Sequence, residues 1–297
     1  MTSSNRSFVV QEPMSAIQAI RKLFPDSSRR TLQNWIRGGR FQADGKKIER
    51  EQMELQPGQE VTANETCRPQ PIRGLRILHL DRWLIAIDKK EGLLSVPLDE
   101  SEGASALTLL REHFATDQIY AVHRIDRETS GCLLFARGKE AEERLKDLFE
   151  AHDLLREYIA VVEGHLPEKR GTWQSKLLEL ENYRVVESID GRDAITHFEQ
   201  IRTSPKYTYL RLRLETGRKH QIRVHCANMG HPVLGDARYG SIENPIRRLC
   251  LHARRLELVH PFTKKLLKIE SPLPAAFNRL GAGIIKSLHR SGQRDSI

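Results

Sequence analysis

The chain has 297 residues, enough for one large domain or a small domain joined to a larger one. Its 48 Lys and Arg against 39 Asp and Glu give a formal charge of +9, which puts a polyanion, nucleic acid ahead of an acidic membrane, first among expected partners. Four scattered cysteines without a CxxC pair, an N-terminus without a secretory core and no bilayer-length apolar run argue against disulfide-framework, zinc-site and membrane-spanning classes, and fit a soluble protein of a reducing cytoplasm.

Residues 13–62 read as a small unit. "PMSAIQAIRKLF" spaces Met14, Ile17, Ile20 and Phe24 at helical intervals, and "PDSSRRTLQNWIRGGRF" offers Asp26, Ser27 or Ser28 as an N-cap before a second helix that stops at Gly38-Gly39. Turns at "ADGK" and "QPGQ" bracket short strands that end in "EVTA". Arg29, Arg30, Arg37, Arg40, Lys46 and Lys47 gather on the second helix and the following turn, as phosphate contacts or as a solvated basic face. Residues 63–74, with two prolines and a glycine, read as a linker.

From Leu75 to residue 280 strands alternate with occasional helices. "LRILHLDRWLIAIDKKEG" predicts two strands hinged at Asp81-Arg82, and "GCLLFAR" and "EYIAVVEG" predict one strand each. "KEAEERLKDLFEAHD" places Ala141, Leu145, Leu148 and Phe149 on one helix face. "YTYLRLRLE" alternates Tyr209, Arg211 and Arg213 against Thr208, Leu210, Leu212 and Leu214, as an antiparallel strand with one wet face would. The expected class is α+β with a mixed, mainly antiparallel sheet, and residues 281–297 form a basic tail.

Three stretches concentrate polar groups beside strands: "HRIDRETSG", "REYIAVVEG" and "ETGRKHQIRVH". Singly, each has an ordinary explanation. Asp126 is a loop acid, Tyr158 a packing residue that opens a strand, and the histidines lack HExxH spacing or an acidic ligand set, so a metal site is not expected. Together, and with "GRDAITHFE", "MGHPVLGDARYG" and "LHARRLELVHPFTKK" following in order, they resemble the motifs of the RluA-type pseudouridine synthases over residues 75–275. Residues 13–62 resemble the small ribosomal-protein-like RNA-binding module often fused ahead of such enzymes.

That resemblance implies isomerisation of a uridine within RNA: the N1–C1′ bond breaks, the ring turns, and C5 joins C1′. It implies no cofactor or metal. It assigns the catalytic aspartate to Asp126, the active-site tyrosine to Tyr158, the arginine paired with the aspartate to Arg223, and the arginine that fills the gap of the extruded nucleotide to Arg124. An arginine beside Asp126 is expected to hold it ionised, as nucleophile or as base. Arg218, His220 and Gln221 are expected as RNA contacts or supports, and Thr129 or Ser130 as bonded to local backbone. Ile125 stands for the usual leucine and Lys90 for a usual proline. Arg127 has no evident role. Large-subunit ribosomal RNA is the expected substrate, with transfer RNA or a non-catalytic RNA-binding or ribosome-assembly role as alternatives, and a cytoplasmic monomer is expected.

Overall fold

The computed structural model describes residues 7–25, 29–37, 39–63, 75–97, 104–114 and 116–280, except the side chains of residues 30, 31, 34 and 37. The N-cap candidates Asp26, Ser27 and Ser28, Gly38, nearly all of the linker and the tail 281–297 lie outside the described residues. The chain divides into two compact units, Met1–Gly74 with Thr108–Ile119, and Leu75–Leu107 with Tyr120–Ile297.

In the first unit, β1 (Ser7–Val9), β2 (Met14–Ser15), α1 (Ala16–Leu23), α2 (Arg29–Arg37), β3 (Phe41–Ala43), β4 (Lys46–Lys47), β5 (Glu54–Leu55) and β6 (Glu60–Ala63) form a four-stranded sheet, order β1-β6-β3-β4, and a β2-β5 pair. The Ser15 N–H donates to Gln18 Oε1 at 2.8 Å, which starts α1 with a capping-box contact. Ala16, Ala19 and Ile20 of α1 and Leu32 and Ile36 of α2 pack with Phe41, Ile48 and Val61 in one apolar cluster. "ADGK" makes the β3–β4 turn, with both Asp44 and Gly45 in the left-handed region that a tight hairpin needs.

Apart from Thr108–Phe114 of α3 and Ile119 of β9, which belong to the first unit, the second unit is built on β7 (Arg76–Leu80), β8 (Leu84–Lys89), α3 (Ala106–Phe114), β9 (Ile119–Ala121), β10 (Ser130–Arg137), α4 (Lys139–Glu150), β11 (Leu155–Glu163), β12 (Arg170–Glu179), β13 (Val185–Glu187), β14 (Arg192–Thr203), β15 (Tyr207–Leu214), α5 (Gln221–Asn228), β16 (Leu251–Val259) and β17 (Leu266–Glu270). Its sheet runs β13-β12-β14-β15-β11-β16-β10-β8-β7, with β17 on β16 and β9 on β10. β10 and β16 pair in parallel and the neighbouring strands antiparallel, so the sheet is mixed and mainly antiparallel.

Two strand-level expectations change. Tyr158 lies within β11 rather than at its start, because pairing with β15 and β16 extends the strand back to Leu155. Tyr209 is fully buried in the core although it shares a strand face with Arg211 and Arg213. Helix α3 had no counterpart in the sequence reading.

Gly131 fixes the centre of the sheet. It pairs with Ala253 of β16, has φ +116°, and a Cβ there would fall 2.1 Å from the Ala253 carbonyl oxygen. Only glycine permits that approach. The loop carrying Asp126 therefore enters β10 directly against β16.

Candidate active site

Asp126 sits in the loop between β9 and β10, and both neighbours in that loop are tied down. Ser95 Oγ donates to the Ile125 carbonyl at 2.7 Å and accepts the Ile125 N–H at 3.2 Å. On the other side, the Arg127 carbonyl accepts from the Gly92 N–H at 2.8 Å and from Lys89 Nζ at 3.1 Å, while Arg127 Nε donates to the Gly92 carbonyl at 3.2 Å. Arg127 thus acquires a role that its sequence did not disclose: it staples the loop to "KKEG". Lys89 is its buried counterpart, with Nζ also donating to the carbonyls of Leu93 (2.7 Å) and Lys90 (3.1 Å). Burial pushes the Lys89 amine down to about 8, with the Asp126 charge the largest opposing influence.

The loop faces the start of α5 and the buried face of β11 across a cavity of ≈ 470 Å³, lined by Arg124, Asp126, Thr129, Arg156, Tyr158, Arg218, His220 and Arg223 among others. This concave pocket brings together the three polar stretches "HRIDRETSG", "REYIAVVEG" and "ETGRKHQIRVH". Its volume is that of an ordinary small-ligand site.

Arg223 lies 3.6 Å from Asp126 through Nη1, but its strongest bonds go elsewhere. Nε and Nη2 each donate to the Asp236 carboxylate at 2.7 Å in a two-pronged pair that is almost wholly buried. Nη1 is left to reach Asp126 and, at 3.5 Å, Glu128. Asp236 therefore aims the guanidinium, and Tyr239 packs its ring 5.2 Å from it.

Arg223 acts on Asp126 in the expected direction, but burial acts against it. Burial pushes the Asp126 carboxyl up from its ordinary value; Arg223 is the largest opposing influence and Glu128 adds to the rise.

His220 is the second group facing the acid, with Nε2 4.0 Å from Asp126 Oδ1. The Val185 N–H donates to the Tyr239 hydroxyl at 3.1 Å, and that hydroxyl lies 2.7 Å from His220 Nδ1. In the tautomer whose Nδ1 accepts the hydroxyl proton, the imidazole proton sits on Nε2, the nitrogen facing the carboxylate. His220 holds a left-handed φ of 54°, and burial followed by the Arg223 charge pushes it down to about 4. It is a neutral imidazole facing Asp126 from the cavity wall.

Gln221 is also committed internally. Its Oε1 accepts from Thr216 Oγ1 (2.8 Å) and the Arg218 N–H (2.9 Å), and its Nε2 donates to the Ile195 carbonyl (2.9 Å) and Thr196 Oγ1 (3.0 Å). With all four bonds made, Gln221 secures the first turn of α5 and has nothing left for RNA. Arg218 donates through Nε to the Asp193 carbonyl at 2.9 Å while lining the cavity. Arg124 is exposed at the cavity, with no hydrogen bond or ion pair to another described residue.

Tyr158 is buried against the same cavity, and burial pushes its hydroxyl up to about 12. It is a protonated phenol beside a carboxylate. Ser130 bonds not to local backbone but to His252 Nδ1 at 2.8 Å and Arg248 Nη2 at 2.6 Å, while the Thr129 hydroxyl is buried without a partner among the described residues. His123 accepts the Leu134 N–H at 2.9 Å and stacks on Phe149, a support for the loop. No group of three or more His, Cys, Asp or Glu able to hold a metal occurs among the described residues.

Of the basic residues predicted in the first unit, Arg29 and Lys46 are exposed, and Arg29 lies 3.6 Å from Glu51. Arg40 instead lays its guanidinium over the Trp35 ring at 4.0 Å, a packing role. The side chains of Arg30 and Arg37 lie outside the described residues.

The family model described as RNA pseudouridylate synthase matches residues 83–228, which include the Asp126 loop, Tyr158 and Arg223. A Bacillus subtilis protein named as an uncharacterized RNA pseudouridine synthase is 35% identical over 214 residues, spanning 69% of this chain and 71% of that protein. Two proteins named ribosomal large subunit pseudouridine synthase D, from Haemophilus ducreyi and Xanthomonas campestris, are each 32% identical and cover 89% and 99% of this chain and 88% and 96% of their own lengths. The chain belongs to the RNA pseudouridylate synthase family. Two human structures, RNA Pseudouridylate Synthase Domain Containing 1 and 4, share the fold, with TM-scores of 0.61 and 0.57, 22% and 24% identity, and coverage of 76% and 74% of this chain and 98% and 93% of theirs.

As a pseudouridine synthase the protein is an isomerase. An acid, a phenol and a guanidinium converge on one concave space. The sequence reading missed Asp236, Tyr239 and Lys89. Asp236 and Tyr239 lie in the quoted "MGHPVLGDARYG", but nothing local to that loop links them to Arg223 or His220. Lys89 stands in a run of charges, which ordinarily signals solvent. The one available signal was its place at the end of the apolar run "LIAI".

Proposed function

We propose that the protein converts specific uridines of large-subunit ribosomal RNA to pseudouridine, with Asp126 as the group that attacks the nucleotide or removes its proton. The observation that carries the assignment is the single cavity that gathers Asp126, Tyr158 and the Asp236-held Arg223. A uracil within a stack is out of reach, so the nucleotide must turn out into this cavity at a cost of roughly a few kcal/mol. Exposed Arg124 is free to occupy the vacated space, where a planar guanidinium both stacks and meets phosphate. Tyr158 offers a ring for the uracil and a hydroxyl for late proton movement at C5.

The preference for large-subunit RNA is supported by the names of relatives that align over most of their length and most of this chain. Purified protein added to RNA from a strain lacking it is expected to create pseudouridine at defined positions of large-subunit ribosomal RNA. Conversion confined to transfer RNA would replace that substrate. The reading places a monomer in the cytoplasm; no described helix is long and apolar enough to cross a membrane.

We further propose residues 13–62 as an RNA-holding domain, 63–74 as its linker, 75–280 as the catalytic domain and 281–297 as a basic tail. Lys46 and Lys47 are exposed together on β4, which suits sequence-independent phosphate contact. The double variant Lys46→Glu, Lys47→Glu is expected to weaken RNA binding and make it less salt-dependent, as read by filter binding across a salt series. An unchanged affinity and slope would remove these lysines from the RNA contact.

A further inference from the structure

The second motif of the catalytic unit holds a cation that the roles above leave unused. Arg156 precedes Tyr158 by two residues on β11, so their side chains share a sheet face, and both line the cavity. The residue is only 7% exposed. Arg156 Nη2 donates to the Glu215 carbonyl at 2.6 Å and lies 3.5 Å from His152 Nδ1. Nε is buried with no hydrogen-bond partner among the described residues. Nη1 has none among the described residues, and it lies against Gly217, where a Cβ would stand 2.6 Å from it.

These facts separate Arg156 from the other buried arginines. Arg223 pairs with Asp236, Arg248 with Glu91 and Arg254 with Glu270. Arg156 has no carboxylate. A buried guanidinium without a counter-charge is costly. The backbone of Gly217 is not in the left-handed region, so glycine there serves the space over Nη1 rather than a turn. The cavity thus holds a desolvated cation whose Nη1 donors have no partner among the described residues.

We propose that Arg156 binds a phosphate of the turned-out target nucleotide through Nη1, supplying the anion that the protein withholds. The proposal rests on the reading of the chain as an RNA uridine isomerase. Guanidinium donors match phosphate oxygens in geometry and charge, and low polarity strengthens the contact. It forms when the nucleotide enters and persists through the reaction, so it belongs to substrate binding more than to the chemical step.

The test pairs Arg156→Met and Arg156→Lys with a synthetic RNA that carries the mapped target uridine and, one at a time, neutral methylphosphonate linkages around it. Arg156→Met is expected to raise the half-saturating enzyme concentration in single turnover about 10–100-fold, with the saturated rate within a few-fold of wild type. Arg156→Lys should recover part of the loss. One neutral linkage should weaken the wild type comparably and cost Arg156→Met little more, since both remove the same contact. Fully additive losses at every linkage, or a half-saturating concentration unmoved in Arg156→Met, would overturn the proposal. If melting shows Arg156→Met misfolded, the same cycle is run with Arg156→Lys, whose deficit must likewise vanish at one linkage. Wild-type protein that forms no pseudouridine in any RNA would instead defeat the uridine-isomerase reading.

Discussion

Asp126→Asn is expected to lose at least ~10³-fold in turnover while becoming more stable than the wild type at neutral pH. The two effects share one cause. Desolvation raises the Asp126 carboxyl above its ordinary 3.8 despite Arg223, so the folded chain holds that proton more tightly than the unfolded chain does. Stability contributed by the protonated form is present below 3.8 and is lost as the pH rises through the folded value. Asparagine keeps the shape without the charge and avoids that loss. The melting temperature of Asp126→Asn should therefore exceed that of the wild type near neutrality, and the gap should close as the pH falls toward 3.8. The same shift places the acid limb of wild-type kcat/KM above the ordinary carboxylate range, because that limb reports the free enzyme's essential base. A variant less stable at every pH would mean that Asp126 holds the loop in place rather than being held by it.

Asp236→Ala is expected to destabilise the second unit by about 3–5 kcal/mol, the cost of leaving one partner of a buried ion pair alone. Arg223 would lose both of its 2.7 Å bonds and keep only the 3.5 and 3.6 Å approaches to Glu128 and Asp126. The freed guanidinium would swing toward Asp126 and close on the acid that the substrate must reach. Activity should fall further than the loss of folded protein explains. Asp236→Asn, which retains an acceptor, should be milder on both counts. Urea unfolding and single-turnover rates on the same preparations check this; a loss below ~1 kcal/mol would show that Asp126 and Glu128 suffice to hold Arg223.

What was legible in the sequence followed from local pattern and from motif order. The alternation of β15, the helix face of α4 and the Asp81-Arg82 hinge are each set by residues a few positions apart. Asp81 makes that hinge by accepting the Trp83 and Leu84 N–H groups at 2.7 and 2.8 Å. Tyr209 escaped the alternation because a tyrosine on a wet-looking face can still be covered by neighbouring elements. In the site, ordered motifs located Asp126, Tyr158, Arg223 and Arg124 together.

Partners joined across the fold were not legible. Asp236 lies thirteen residues beyond Arg223, on the far side of the end of α5, and reads as a loop acid. Lys89 reads as surface charge until β8 and the Arg127 loop close around it. Gln221 and His220 read as RNA contacts or supports, because polar residues beside a motif arginine suit either role. Their bonds to Ile195, Thr196 and Tyr239 depend on how β14 and the "GDARYG" loop pack on α5. Hydrogen-bond saturation, which distinguishes a support from a contact, is a property of tertiary structure.

The central claim is that Asp126 drives exchange of C5 for N1 at the sugar of a uridine within RNA, and that exchange must release the hydrogen on C5. The most direct measurement is tritium release from ribosomal RNA labelled at uridine C5 and isolated from a strain lacking the protein. The wild type is expected to release tritium to a plateau set by the number of target uridines, and Asp126→Asn is expected to release none above background while still binding the RNA. Absence of release by the wild type, or the same plateau and rate with Asp126→Asn, would contradict the account.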